Sequence, residues 1–107
     1  MQINEYIQAD GTNPYQKWFN GLNAQAAAKV SVAKVRLELG NTSNIKWFDG
    51  IGEYRINWGP GYRIYLVQDG NHLIILFGGG TKKTQQKDIN TAKQLLAEYK
   101  RRKSKER

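Results

Sequence analysis

Cysteine is absent from the 107 residues, and histidine and methionine each occur once. Without cysteine there can be no disulfide framework, no zinc–thiolate site and no thiol nucleophile. A single histidine, with no paired-histidine spacing, leaves little from which to build a metal centre, and no metal or organic cofactor is expected. Long apolar runs are also lacking. The longest, Leu73–Phe77, has five residues, far short of the roughly 20 needed to cross a bilayer. The opening residues, Met1-Gln2-Ile3-Asn4-Glu5, have neither the basic start nor the apolar centre of a secretory signal. A cytoplasmic protein with no membrane partner is the expectation.

Acidic residues are scarce: 9 Asp and Glu stand against 17 Lys and Arg, a net charge of +8. Residues 99–107 carry six bases and one acid, so residues 1–98 hold only a net +3. The charge thus suggests one domain over residues 1–98 and a basic C-terminal tail over 99–107. A basic excess of this kind draws in phosphate without specifying a site. The aromatic complement of three Trp, six Tyr and three Phe suffices for one modest core in a chain of this length.

Periodicity gives an order of elements. Gln2–Gln8 alternates around Ile3, Glu5 and Ile7 and suits a strand. Thr12-Asn13-Pro14 reads as a helix start, followed by Tyr15, Trp18, Phe19 and Leu22 at helical spacing. Asn23 can cap a second helix over Ala24–Leu39, stopped by Gly40. Val30 and Leu37, with Val32, Val35 and Leu39, predict a broad buried face on that helix. The period then shortens. Asn44–Phe48 is a candidate strand, with Trp47 and Phe48 as core. Gly52–Trp58 and Tyr62–Gln68 flank the turn Gly59-Pro60-Gly61. His72–Phe77 is an apolar strand ended by Gly78-Gly79-Gly80, and the lone His72 reads as a surface residue. Thr84 is placed to cap a last helix bearing Ile89, Ala92, Leu95, Leu96 and Tyr99 along one stripe. The fold class is α+β: an antiparallel sheet with a helical hairpin and a C-terminal helix packed on one face.

Chemistry concentrates in the central hairpin. Alternation puts Glu53, Arg55 and Asn57 on one face of their strand, with Tyr54, Ile56 and Trp58 on the other. Turning Ile56, Trp58, Ile64 and Leu66 inward leaves Arg55, Arg63 and Tyr65 together on the far face. Two arginines beside a tyrosine would form a basic patch with a stacking platform, suited to a bent RNA strand. The plainer alternative is a solvent face on which Arg55 pairs with Glu53 or Asp69. The Gly78–Gly80 run followed by Lys82, Lys83 and a helix start could hold an anion. It lacks the spacing of a phosphate loop, and could equally serve strand-end geometry.

Together these segments resemble the RelE/ParE superfamily of toxins, specifically the HigB-like branch of phage-derived addiction-module killer proteins. The resemblance lies in Gly50-Ile-Gly-Glu-Tyr-Arg-Ile56, in Gly59-Pro-Gly-Tyr-Arg-Ile-Tyr65, and in the run from Leu76 through Gly78-Gly79-Gly80-Thr81-Lys82-Lys83 to Gln85, Asp88 and Ile89. The Trp18 helix and the Ala-rich helix ending Leu39-Gly40-Asn41 match in order, so the likeness spans about residues 1–98. It implies a RelE-like fold and the toxin of a type II toxin–antitoxin system. The implied activity is ribosome-dependent mRNA cleavage by attack of a ribose 2′-OH on the neighbouring phosphate, without a metal. By position, Arg63 would stabilise the scissile phosphate and Arg55 would assist. Lys82 or Lys83 would act as phosphate ligand or proton donor. Gln85 and Asp88 would orient the RNA or organise the helix start, and Tyr65, on the hairpin face described above, would be the RNA-binding platform beside them. The implied partners are the ribosome, mRNA and a HigA-like helix-turn-helix antitoxin. Some related toxins carry a catalytic tyrosine in the last helix, where this chain has Ile89. Two alternatives remain open: a ParE-like DNA gyrase inhibitor, and a non-catalytic RNA-binding accessory protein.

Overall fold

A computed structural model describes residues 1–106. The elements follow in the order β1 (Gln2–Glu5), α1 (Pro14–Asn20), α2 (Ala24–Glu38), β2 (Ile45–Phe48), β3 (Ile51–Ile56), β4 (Tyr62–Asp69), β5 (Leu73–Gly80), a single 3₁₀ turn (Lys82–Thr84) and α3 (Gln85–Lys105). The local signals act as their chemistry requires. The side chain of Asn13 accepts the Gln16 amide at 3.0 Å, and that of Asn23 accepts the Ala26 amide at 2.9 Å. Each satisfies an amide that the first helical turn leaves without a partner. Gly59 and Gly61 take φ values of 58° and 77°, a region costly for side-chain-bearing residues, so the chain can reverse tightly between β3 and β4.

The sheet runs β1-β5-β4-β3-β2. Its four later strands pair antiparallel, whereas β1 lies parallel to β5. The sheet is therefore mixed rather than purely antiparallel as expected, because the α1–α2 hairpin carries the chain away from β1 before the meander begins. A second departure concerns the layers. Tyr15, Val30, Ala33 and Leu37 pack on Tyr54, Ile64, Leu66, Ile74 and Leu76. On the opposite face Ile89, Ala92, Leu95 and Leu96 pack on Ile51, Tyr65, Ile75 and Phe77. Helices thus cover both faces. The cause is legible in β5, whose successive residues Ile74–Phe77 are all buried: a strand apolar on both sides needs two covers.

Two helical stretches also depart from expectation. In α2 the set Ala26, Val30, Ala33 and Leu37 takes the sheet-facing positions, and one stripe is all a helix can turn inward. Val32, Val35 and Leu39 are consequently left exposed, Leu39 at 74%. Trp47, expected in the core, is 46% exposed at the outer strand. Thr84 makes no side-chain cap to α3; its hydroxyl instead hydrogen-bonds Asp88 at 2.5 Å. The basic segment expected as a tail is helical through Lys105. Arg102 donates to the Tyr6 hydroxyl at 3.2 Å and the Ile7 carbonyl at 2.6 Å, and Lys103 pairs with Asp69 at 2.6 Å. No helix among the described residues is long and apolar enough to cross a membrane.

The end of β5 brings the layers together. A register shift between Tyr65 and Leu66 turns Gly79 toward α1 and Gly80 toward α3. A Cβ on Gly79 would lie 2.5 Å from the Trp18 ring, and one on Gly80 would lie 1.8 Å from an Asp88 carboxylate oxygen. Gly79→Ala should therefore overpack the α1 face and cost about 1–3 kcal/mol, read as a lower urea midpoint at unchanged slope. Removing residues 100–107 should also lower that midpoint, because the contacts of Arg102 and Lys103 leave with them.

Candidate functional site

The register around the Gly59–Gly61 turn pairs Arg55 with Arg63 and Glu53 with Tyr65. All four side chains lie on the face that α3 covers, near its first turn. At their centre is Glu53, whose side chain is 0% exposed. One carboxylate oxygen accepts Arg55 Nε at 2.9 Å, and the other accepts Gln85 Nε2 at 2.9 Å and the Tyr65 hydroxyl at 3.2 Å. Arg63 Nε stands 3.6 Å from that second oxygen and makes no hydrogen bond, while its Nη1 donates to the Gly61 carbonyl at 2.7 Å. Burial pushes the Glu53 carboxyl up. The hydrogen bonds from Arg55, Gln85 and Tyr65, with the charge of Arg55, outweigh it and hold the group below the usual carboxylate range.

The expected site residues divide accordingly. Arg55 is brought to the cluster with 45% of its side chain exposed. Arg63 is brought beside it but is 6% exposed and held by Glu53. Lys82 stands next to this pair: a Cβ on Gly61 would lie 3.5 Å from Arg63 Nη1 and 3.7 Å from Lys82 Cβ. Lys82 and Lys83 are both exposed in the 3₁₀ turn. Gln85 spends its amide on Glu53. Asp88 lies against Gly80 and accepts from Thr84, which places a carboxylate in the first turn of α3, where the helix dipole favours one.

Tyr65 corrects an expectation. Its ring is 1% exposed within the α3-side core, so no face is free for a base to stack on. Burial, and then the charge of Glu53, push its hydroxyl well above the ordinary tyrosine value, which keeps it a neutral donor. The plainer pairing of Arg55 with Glu53 is realised, whereas Asp69 instead bonds Tyr99 and Lys103 at the far end of the sheet.

Glu53 is the member that sequence reasoning undervalued, since it figured only as a possible partner for Arg55. Its signal was present: a lone acid two residues before Arg55, opposite a tyrosine once the hairpin is centred on Gly59. Lys46, on the neighbouring strand, pairs across from Glu53 and adds another exposed cation to the same row. The result is a row of cations at one end of the sheet, anchored by a single internal carboxylate. Arg55 and Lys82 are available to an anion, and Arg63 is fixed behind them.

The fold and this cluster define a small basic α+β protein with a carboxylate-anchored cationic site. No family model matches the chain. It is 45% identical over 94 residues to an uncharacterized protein of Haemophilus influenzae, covering 86% of this chain and 95% of that one. The chain belongs to the same family as that protein.

Glu53→Gln removes the carboxylate with which both Arg55 and Arg63 pair. Breaking a buried pair from one side costs about 3–5 kcal/mol, so urea unfolding at neutral pH should show a loss of that order. Because the folded Glu53 carboxyl lies below its unfolded value of about 4.3, its stabilisation is complete above that value. It is lost as pH falls through the depressed folded value. The acid limb of the stability curve should therefore be shallower in Glu53→Gln; an unchanged limb would show that Glu53 is not what titrates.

Proposed function

We propose that this chain is a RelE-like, HigB-type toxin that cuts mRNA on the ribosome. The observation that carries this reading is the cation cluster of Arg55, Arg63 and Lys82 gathered at one end of the sheet around Glu53. In the proposed reaction the ribose 2′-OH attacks the adjacent phosphorus. The O2′–P bond forms as the 2′-OH gives its proton to water, the P–O5′ bond breaks as the leaving oxygen takes a proton up, and a 2′,3′-cyclic phosphate and a 5′-OH result. The nucleophile belongs to the RNA, so the protein's task is to position it and stabilise the charge gathering on the phosphoryl oxygens. Arg55 and Lys82 face that charge directly. Arg63, buried and paired with Glu53 beside Arg55, leaves these three groups with one net positive charge between them, poorly screened because Glu53 and Arg63 are enclosed. Lys83, exposed one residue on from Lys82 in the same 3₁₀ turn, is the proposed donor of the leaving oxygen's proton.

The partners that go with this reading are the ribosome, mRNA and a HigA-like helix-turn-helix antitoxin, in the cytoplasm. A gyrase-directed toxin would need a protein-binding surface rather than cations gathered for a phosphate, so the cluster favours RNA.

The test is to add the protein to a reconstituted translation system and map mRNA 5′ ends by primer extension, with and without ribosomes. Ribosome-dependent cuts are expected. Arg55→Ala and Lys82→Gln should each slow cutting by roughly 10²–10³, the usual loss for one donor to developing charge. Intact mRNA in the presence of folded protein would overturn the reading.

A further inference from the structure

β2 pairs with β3 only as far as Ile45 opposite Tyr54. Beyond that point the last residues of β3, Arg55 and Ile56, and the two that follow have no strand on this side among the described residues, and α2 passes over them instead. Between them lies a groove of about 310 Å³ whose polar lining is Lys29 and Arg36 from α2, with Asn44, Arg55, Asn57 and Trp58 facing them. No acidic side chain lines it. Arg36 makes no ion pair among the described residues, and Lys29 Nζ rests 5.7 Å above the Trp58 ring. Arg55 is the lining residue that the groove shares with the Glu53 cluster.

We infer that this groove holds the single-stranded RNA that flanks the phosphate at Arg55. The inference rests on the RNA reading above and extends it from the reacting phosphate to the strand beside it. Lys29 and Arg36 are seven residues apart on one helix, about 10 Å along its axis, and so meet phosphates of successive nucleotides rather than one. Val32, exposed between them, offers a sugar or base an apolar contact. Asn44 and Asn57 make no side-chain hydrogen bond among the described residues, and their amides can both donate to and accept from base edges. The Lys29 ammonium lies on Trp58 by cation–π attraction; a phosphate that draws it away leaves the indole open to a base, the usual platform for single strands. An acidic peptide would satisfy the cations but would leave the two amides and the indole without a purpose.

The test uses the full chain and a fluorescein-labelled ten-nucleotide RNA, 2′-O-methylated throughout so that it cannot be cut. Anisotropy is followed across a salt series. Lys29→Gln/Arg36→Gln should weaken binding at least tenfold at low salt. It should also flatten the salt dependence by about 1.4, which is two phosphate contacts at roughly 0.7 each on a single strand. Asn57→Ala, which removes no charge, should weaken binding with the slope unchanged. Equal RNA affinity in the double variant and wild type would overturn the groove, as would no measurable wild-type affinity. A ten-residue glutamate peptide that binds as tightly as the RNA, with the same loss in the double variant, would overturn RNA as its occupant. Ribosome-dependent cutting by the same preparations separates the two claims. Cutting with affinity unmoved by the double variant removes the groove and leaves the nuclease. Groove-dependent affinity without cutting supports the groove and removes the nuclease.

Discussion

A carboxylate with no exposed surface lies between the sheet and α3, and much of the molecule is arranged to make that tolerable. Removing an ionised carboxyl from water costs several kcal/mol unless charge and hydrogen bonds replace the lost hydration. For Glu53 they come from three elements: Arg55 two residues along β3, Arg63 and Tyr65 on β4, and Gln85 at the start of α3. Arg55 is a neighbour on the same strand, but the other three partners come from β4 and α3. The anchor therefore ties hairpin register to the point at which the last helix begins. A slip of one residue in β3 would turn Glu53, and Arg55 with it, to the opposite apolar face, leaving Arg63 on β4 without its anion.

The glycines at the end of β5 belong to the same constraint. α3 can begin over Glu53 only if its first turn comes down closely on the sheet, and Gly80 admits Asp88 at a distance no side chain would permit. Gly79 does likewise for Trp18 on the other face. With both helical layers drawn tight at one end of the sheet, Arg63 and Tyr65 are enclosed, while Arg55 and the lysines of the 3₁₀ turn remain at the rim. Enclosed charge on Arg63 and exposed charge on Arg55, Lys82 and Lys83 are thus adjacent at one end of the sheet.

The part of this that rests on short-range rules was readable in the sequence. The turn at Gly59–Gly61 and period-two alternation were enough to put Arg55 and Arg63 side by side on adjacent strands, and the Gly78–Gly80 run marked Lys82 and Lys83 as a helix-start corner of their own. What depended on long-range packing was not. Nothing local says that α3 crosses to the opposite face from α1 and α2, and so Tyr65 could be read as a surface platform when it is core. The second apolar stripe of α2, with Val32, Val35 and Leu39, cannot be told from the first by composition, because only the sheet decides which one turns inward. The charge run after Tyr99 resembled a loose end because its partners, Tyr6, Ile7 and Asp69, lie 30 or more residues away in sequence.

Glu53 and Arg63 act as one buried unit on which the exposed cations are set. A double-mutant cycle tests it most directly: unfolding free energies of Glu53→Gln, Arg63→Met and the pair, measured in urea at neutral pH. If the two form a unit, the double variant should lose much less than the summed single losses, with a coupling of about 2 kcal/mol or more. Additive losses would mean that Arg63 is held by the Gly61 carbonyl alone, and that Glu53 does not anchor the site.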